Sequence, residues 1–258
     1  MKTSSKRVTV AQVRASFDKK KGAEMPFSTR WFGRPVADIL TPWFYVAGIS
    51  ADGATAIRLV LTLLAAGLLV SGNQFLLYVS AVIGLLAFAL DYVDGHLARL
   101  NDNASFWGKY SDGLVDYLFP IIGLFGAGLG LTLEHNDYRY LAIGSAICLI
   151  TATTRAARDR LRYFQYWMAD TDGEITEAEK RKALPWRRAE YHVTVFAANL
   201  RNMTFLLLFI PDKGLSFFIV LALVQGLTES CWMVICIGQG KATLNRWRKS
   251  VHHVRAEQ

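Results

Sequence analysis

The sequence DYVDGHLAR occupies residues 91–99, and GKYSDGLVD follows at residues 108–116. A long apolar run flanks each stretch. Together they hold four aspartates: Asp91, Asp94, Asp112 and Asp116. Ionised carboxylates are costly near lipid, so carboxylates at the ends of membrane segments indicate a functional site. Carboxylates at this density favour a hard divalent cation, and such a cation in turn favours phosphate.

The composition is that of an integral membrane protein. Hydrophobic residues fill 52% of the 258 positions, although the chain also carries 29 lysines and arginines. A soluble domain does not need apolar runs of this length, and a membrane-spanning helix needs roughly 20 residues. Six segments reach that length, at about 54–72, 74–93, 111–131, 140–158, 191–210 and 216–238. We therefore predict an all-α, polytopic membrane protein with six transmembrane helices.

The basic residues predict the orientation of these helices. Of the 29 lysines and arginines, 26 lie in four stretches: residues 1–58, 99–109, 155–188 and 241–258. The positive-inside rule then places both termini and the aspartates on the cytoplasmic side, which for a bacterial protein means the cytoplasmic membrane. Because the basic residues line membrane ends, anionic headgroups and phosphate substrates are favoured as partners over nucleic acid.

The segment before the first span has the pattern of an amphipathic helix. Residues 26–45 mix aromatic side chains such as Trp31 and Trp43 with charged ones, which suits a helix that lies in the membrane interface. Pro42 should end or bend this helix, and residues 48–53 should form a turn.

This pattern divides the chain into three predicted parts. Residues 1–48 form a cytoplasmic tail and the juxtamembrane interfacial helix, residues 49–240 form the six-helix catalytic domain, and residues 241–258 form a basic cytoplasmic tail.

Helical periodicity arranges the four aspartates in two pairs. At 3.6 residues per turn, Asp91 and Asp94 lie within about 60° of each other, and Asp112 and Asp116 within about 40°. We expect the second and third spans to form an antiparallel hairpin, joined through residues 100–107, with the aspartates at its closed end. Some of these aspartates could be helix caps at a wet boundary, but capping does not account for the whole pattern.

The residues around the aspartates suit a phosphorylated ligand. A metal held by three or four carboxylates would bind a polar, phosphorylated substrate at the edge of the bundle. Gly95 and Ala98 share a face with the first pair and leave room for a ligand, and Arg99 can counter phosphate charge. A carboxylate that the metal does not use fully could accept a proton from an incoming hydroxyl.

The pattern D-x2-D-G-x2-A-R-x8-G-x3-D-x3-D resembles the signature of the CDP-alcohol phosphotransferase family, and every signature position is filled here. The resemblance implies a homodimeric membrane enzyme of phospholipid biosynthesis. Such an enzyme attacks the β-phosphate of a CDP-linked alcohol with a second alcohol and releases CMP. It also implies two divalent ions, Mg2+ or Mn2+, held by Asp91, Asp94 and Asp112. Asp116 would be the catalytic base and a further metal ligand.

The same resemblance implies a nucleotide site. Gly95 and Ala98 would border the cytidine, Arg99 would hold the nucleotide in place, and Gly108 and Thr55 would also lie against it. Residues 49–55 resemble the family segment Ser-Pro-Asn-x2-Thr, although Ala and Asp replace its Pro and Asn.

An arginine follows that segment in this chain. Arg58 falls three residues after Thr55, a position that resembles some phosphatidylglycerophosphate synthases.

Two further sets of polar residues lie in apolar surroundings. Arg155, Arg158 and Arg162 are spaced to form a ridge on one helix, and guanidinium groups suit the phosphate of an acceptor such as glycerol 3-phosphate or an inositol phosphate. The alternative is that this ridge only marks the cytoplasmic side and contacts lipid headgroups. Arg201 lies within the fifth predicted span, where a buried cation requires a partner, and Glu229 is the natural candidate.

Several functions are compatible with these features. Transfer from CDP-diacylglycerol to a small polar alcohol is preferred, because the site lies at the lipid edge. Transfer from CDP-choline or CDP-ethanolamine to diacylglycerol is an alternative. A membrane transporter with an acidic ion site would distribute polar residues through the membrane depth. A prenyl-transferring enzyme would show more tightly clustered aspartates.

Overall fold

The computed structural model describes residues 8–16, 26–102, 105–172, 193, 195–196 and 198–256, and the regular structure of these residues is helical. The α-helices are α1 (Val10–Ala15), α2 (Arg34–Val46), α3 (Ala51–Leu69), α4 (Gln74–Leu100), α5 (Phe106–His135), α6 (Arg139–Asp172) and α7 (Gly214–Ala256). A π-helical turn at Thr29–Gly33 precedes α2, and a 3-10 segment at Phe205–Phe209 precedes α7.

Five of the described helices are long and apolar enough to cross a membrane. Their spanning parts are Ala51–Leu69, Gln74–Leu100, Phe106–His135, Arg139–Gln165 and Gly214–Lys241. The all-helical, multi-pass architecture is thereby confirmed. The predicted span at 191–210 is not among the five and stays a prediction, since some of its residues lie outside the described part of the chain.

The described part of that segment runs along the bundle. The backbone N–H of Ser28 donates to the side chain of Asn199 at 2.8 Å, and the side chain of Gln74 donates to the carbonyl of Leu208 at 3.4 Å. Thr29, next to Ser28, shares a hydrogen bond with Tyr92 beside Asp91, and Gln74 begins α4. The segment therefore passes from the end that holds the aspartates toward the opposite end.

Polar side chains determine where the helices of the site begin. The hydroxyl of Ser50 accepts from the backbone N–H of Gly53 at the start of α3, and Ser105 caps α5 in the same way. Such capping satisfies backbone donors that a helix leaves unpaired. The predicted turn at 48–53 is therefore too long: Gly48 adopts a φ of +71°, and the helix begins at Ala51. Pro42 does not end α2, which continues to Val46.

Helix α3 lies against both helices of the predicted hairpin. The Cβ that an alanine would add at Gly126 in α5 would lie 2.7 Å from the carbonyl oxygen of Ala66 in α3, so these two backbones are in direct contact. Among the described residues, α4 and α5 each pack closely on α3, whereas they have little close backbone contact with each other. The expected hairpin of two facing helices is thus a three-helix arrangement, because small residues let α3 approach α5.

The amphipathic helix is present as α2 and packs on α4. Its buried Asp38 accepts a hydrogen bond from Arg14 at 2.9 Å and lies 3.7 Å from the Nδ1 atom of His96. Trp31 and Trp43 remain 68% and 73% exposed. Exposed aromatic side chains in α2 and in the turn before it suit the membrane interface, and that location stays a prediction.

The last two helices exceed their predicted lengths. Helix α6 continues to Asp172, and α7 continues to Ala256. The polar residues after about 158 and the basic residues after 240 therefore begin as helical extensions. The division at residues 48 and 240 stays a prediction.

Candidate active site

The start of α3, the end of α4 and the start of α5 meet at one end of the bundle. Asp91 from α4 and Asp112 and Asp116 from α5 each offer a carboxylate oxygen, and these oxygens lie within 4.8 Å of one another. Their side chains are 23%, 39% and 47% exposed, respectively. Three of the four predicted metal ligands are therefore in one group, and Asp116 is the one most open to solvent.

The guanidinium of Arg58, on α3, lies between these three carboxylates. Its Nη1 atom lies 2.5 Å from Asp91 and 3.0 Å from Asp112, and its Nη2 atom donates to Asp116 at 2.5 Å. The side chain is 4% exposed. Arg58 carried no predicted role. An arginine inside an otherwise apolar span was a signal that could have found it, because such a cation needs carboxylate partners.

The fourth aspartate is held differently. The hydroxyl of Thr55 donates to Asp94 at 2.8 Å, and Asp94 is 6% exposed. Asp94 is not in the group of three carboxylates that could share an ion. The predicted nucleotide residue Thr55 thus contacts a motif aspartate, and the two side chains bridge α3 and α4. We refer to Asp91, Asp94, Asp112, Asp116 and Arg58 as the carboxylate cluster.

The small residues of the motif border this cluster. A Cβ at Gly95 would lie 3.4 Å from the guanidinium of Arg99, so that arginine folds back over the glycine. A Cβ at Gly108 would lie only 2.9 Å from a carboxylate oxygen of Asp52 at the start of α3. Ala98 is partly exposed one residue before Arg99. Because their side chains are small, Gly95, Ala98 and Gly108 leave space on the helix surfaces beside the carboxylates.

A second polar cluster lies between α6 and α7. Arg155 lies 3.6 Å from Glu229, and the side chain of Gln225 donates to the same Glu229 oxygen at 2.9 Å. Among the described residues, Arg155 makes the ion pair with Glu229, whereas Arg201, the expected partner, interacts with the charge of Glu229 without an ion-pair contact. The reason is that α6 packs on α7, a contact that span depth alone cannot reveal.

The three ridge arginines have different surroundings. Arg155 lies over the ring of Tyr117 at 4.4 Å, and Arg158 lies over the ring of Trp232 at 3.9 Å. Such cation–π contacts hold a guanidinium without neutralising it. Arg162 is exposed. The ridge is thus not one continuous binding face, because its first two members pack against other helices.

Arg201 lies close enough to both Asp116 and Glu229 to interact with their charges. Its Nε atom is buried without a hydrogen-bond partner among the described residues, and the same holds for the Nε atom of Arg155. We refer to Arg155, Arg158, Arg201 and Glu229 as the arginine cluster. Tyr117, which follows Asp116 in α5, links it to the carboxylate cluster.

The donor set of the carboxylate cluster fits a divalent ion. Hard cations such as Mg2+ prefer carboxylate oxygens, and three of these converge at the end of membrane-length helices. Fold and site together define a multi-pass integral membrane protein with an acidic site that could hold a divalent ion.

The particular family follows from a comparison with family models. The model for CDP-alcohol phosphatidyltransferase matches residues 49–210, so the chain belongs to the CDP-alcohol phosphatidyltransferase family. These enzymes transfer phosphate-containing groups, use CDP-alcohol donors and alcohol acceptors, and generally depend on divalent metal. A comparison with curated proteins gives no significant match.

Proposed function

We propose that this chain transfers a phosphatidyl group from CDP-diacylglycerol to a small polar alcohol, phosphorylated or not, and releases CMP in phospholipid biosynthesis. The observation that carries the proposal is the convergence of Asp91, Asp112 and Asp116 at the ends of membrane-length helices, inside the region that matches the family. A site at a membrane boundary suits a donor whose acyl chains stay in lipid and whose nucleotide is polar.

The four aspartates would hold Mg2+ or Mn2+. Asp91, Asp112 and Asp116 would supply the shared oxygens, and Asp94, oriented by Thr55, would complete the set. Four carboxylates have enough charge for two divalent ions. When bound, such ions would neutralise the pyrophosphate of the donor and the developing charge of the leaving CMP.

Asp116 would be the catalytic base. The oxygen of the acceptor alcohol attacks the β-phosphorus, a new P–O bond forms, and the P–O bond to CMP breaks. Asp116 would accept the hydroxyl proton in this step. Its 47% exposure supports this role, because a base must reach the incoming hydroxyl, whereas Asp94 is nearly inaccessible.

The nucleotide would lie against the helix surfaces formed by the small residues of the motif. Gly95 and Ala98 would border the cytidine, and Arg99 would hold the nucleotide from the same helix. Gly108 would allow close approach at the start of α5, and Thr55 would contribute through Asp94.

The acceptor would bind on the side of the arginine cluster. Arg155 is the strongest candidate for binding the acceptor, since it contacts Tyr117, the residue after the proposed base. Arg158 and Arg162 would add positive charge nearby, and Arg201 is a further candidate because it interacts with the charge of Asp116. An excess of guanidinium groups favours an acceptor that carries phosphate.

We also propose a cytoplasmic site, cytoplasmic termini and a homodimer. The orientation is supported by the concentration of lysines and arginines at one end of the spans. The dimer rests on the family resemblance.

A matrix of donors and acceptors tests the activity. Purified protein with Mg2+ or Mn2+ is incubated with CDP-diacylglycerol and a panel of polar alcohols, or with CDP-choline or CDP-ethanolamine and diacylglycerol. We expect CMP and a phospholipid product only in the first set, and no turnover after EDTA treatment until metal is restored. Product only in the second set would favour the headgroup-donor alternative. No CMP with any pair would contradict the proposal.

A further inference from the structure

Arg58 places one guanidinium among the carboxylates that are proposed to hold metal. We infer that Arg58 is a built-in counter-cation, which holds the metal-binding carboxylates together and competes with the divalent ion for their oxygens. The inference rests on the metal role proposed above, and it concerns how this chain's own residues adjust the affinity of that site.

Both terminal nitrogens of Arg58 are engaged. The contacts reach the Oδ1 atoms of Asp91, Asp112 and Asp116, which belong to the three residues that could share an ion. The hydroxyl of Thr62 donates to the backbone carbonyl of Arg58 at 2.9 Å within α3. With 4% exposure the side chain has little freedom to move toward solvent. Arg58 is therefore a buried part of the cluster rather than a surface cation that happens to lie nearby.

The charges explain why a guanidinium belongs there. Three carboxylates within 4.8 Å repel one another, and this repulsion is strong away from bulk water. One planar guanidinium can donate to several carboxylate oxygens at fixed angles, which an ammonium group does less well. Arg58 thus stabilises the folded arrangement of the ligands before any ion binds.

The same contacts oppose metal binding. An ion that uses these Oδ1 atoms must share them with Arg58 or displace it, and in both cases it meets a positive charge a few ångströms away. Removing the charge should therefore tighten metal binding. A merely structural arginine predicts the opposite sign, because loss of a support would let the ligands separate and would weaken binding.

The test measures Mn2+ affinity and thermal stability of full-length protein in detergent. Free Mn2+ is followed by its EPR signal after chelator treatment, and the protein melting temperature is recorded with and without Mn2+. For Arg58→Gln we expect Mn2+ to bind about tenfold more tightly than to the wild type, the effect of removing one nearby positive charge. We also expect a lower melting temperature without Mn2+ and a larger rise when Mn2+ is added.

Three further variants control the result. Arg58→Lys keeps the charge, so its Mn2+ affinity should stay near that of the wild type. Arg139→Gln removes a charge beside Asp137, away from the cluster, and should change neither quantity. Asp112→Asn should weaken Mn2+ binding in every background, which identifies the site that is being titrated.

The outcomes separate this inference from the proposed function. If the wild type binds Mn2+ and Asp112→Asn weakens it, but Arg58→Gln binds equally or more weakly, the counter-cation role is wrong while the metal site stands. An Arg58→Gln protein that stays unfolded even with saturating Mn2+ also contradicts the inference, because the ion is expected to replace the lost charge. If the wild type binds no Mn2+, both proposals fail.

Discussion

The two polar clusters of this protein have opposite charge and differ in what surrounds their guanidinium groups. In the carboxylate cluster, four aspartates surround one guanidinium, and both terminal nitrogens of Arg58 contact carboxylates. In the arginine cluster, three guanidinium groups share one carboxylate, and those of Arg155 and Arg158 lie over aromatic rings. The first cluster therefore favours added cations, and the second favours an added anion. Tyr117 lies between them, one residue after Asp116.

The largest expected effect on activity comes from Asp116, where the carboxylate cluster is nearest in sequence to Tyr117. Asp116→Asn keeps the shape of the side chain but removes the proposed base, so we expect the rate of CMP release to fall about 10³-fold. Asp137→Asn, at the start of α6 and away from both clusters, is the matched control and should retain full activity. A fully active Asp116→Asn enzyme would show that Asp116 is not the catalytic base.

The arginine cluster should affect the acceptor rather than the donor. Arg155→Ala would remove the proposed charge-assisted hydrogen bonds to the acceptor, which are worth about 1.5–3 kcal/mol, so we expect the acceptor KM to rise about 10- to 100-fold. The donor KM should change little. Steady-state kinetics with each substrate varied in turn distinguishes the two, and a larger rise in the donor KM would instead place Arg155 at the nucleotide.

Alanine substitutions at two glycines of α5, Gly108 and Gly113, test how close packing beside the carboxylate cluster affects activity. In Gly108→Ala the new Cβ would meet a carboxylate oxygen of the exposed Asp52 side chain at 2.9 Å and the capping hydroxyl of Ser105 at 3.1 Å, so both side chains must adjust beside the proposed nucleotide site. Small shifts of positioning groups can cost large factors in rate, and we expect kcat/KM for the donor to fall about tenfold.

Gly113→Ala is the control, because nothing lies within 4 Å of its added Cβ. Its activity should be unchanged, and its stability should rise by about 0.5–1 kcal/mol through helix propensity. Equal activities of the two alanine variants would show that the close approach of Asp52 to Gly108 is not needed for activity.

The last prediction concerns stability rather than activity and tests the counter-charge of the arginine cluster. Glu229→Gln leaves Arg155 without a carboxylate, and we expect the free energy of unfolding to fall by about 1–2 kcal/mol. Denaturation in detergent followed by tryptophan fluorescence measures this, with the exposed Glu134→Gln as the reference. An unchanged stability would indicate that Glu229 is not needed to balance Arg155.

The local part of the site was predictable from the sequence. Asp112 and Asp116 lie four residues apart, so helical periodicity alone places them on one face, and the structure confirms that their carboxylates converge with Asp91. The length and hydropathy of the apolar runs likewise predicted a multi-pass helical protein, and five helices fit that prediction.

The contacts of the site between residues on different helices were not predictable from the sequence. Arg58 precedes Asp91 by more than thirty residues, and their contact depends on how closely α3 approaches α4 and α5. Nothing in the spacing of residues along one helix reports that distance. The ion pair of Glu229 with Arg155 was missed for the same reason, since span depth gives the level of a residue but not the neighbour it faces.

The sequence by itself determined the helical membrane character, which depends on composition and apolar run length, and it also held the acidic motif, whose residue types and spacing carry the resemblance to the family. Only the tertiary structure decided that α3 packs against both motif-bearing helices and that Arg58 balances the carboxylates. It also decided that Arg155, rather than Arg201, pairs with Glu229. The physical reason is that interhelical contacts depend on which small residues allow close approach, and buried charges then pair with the groups that packing brings near.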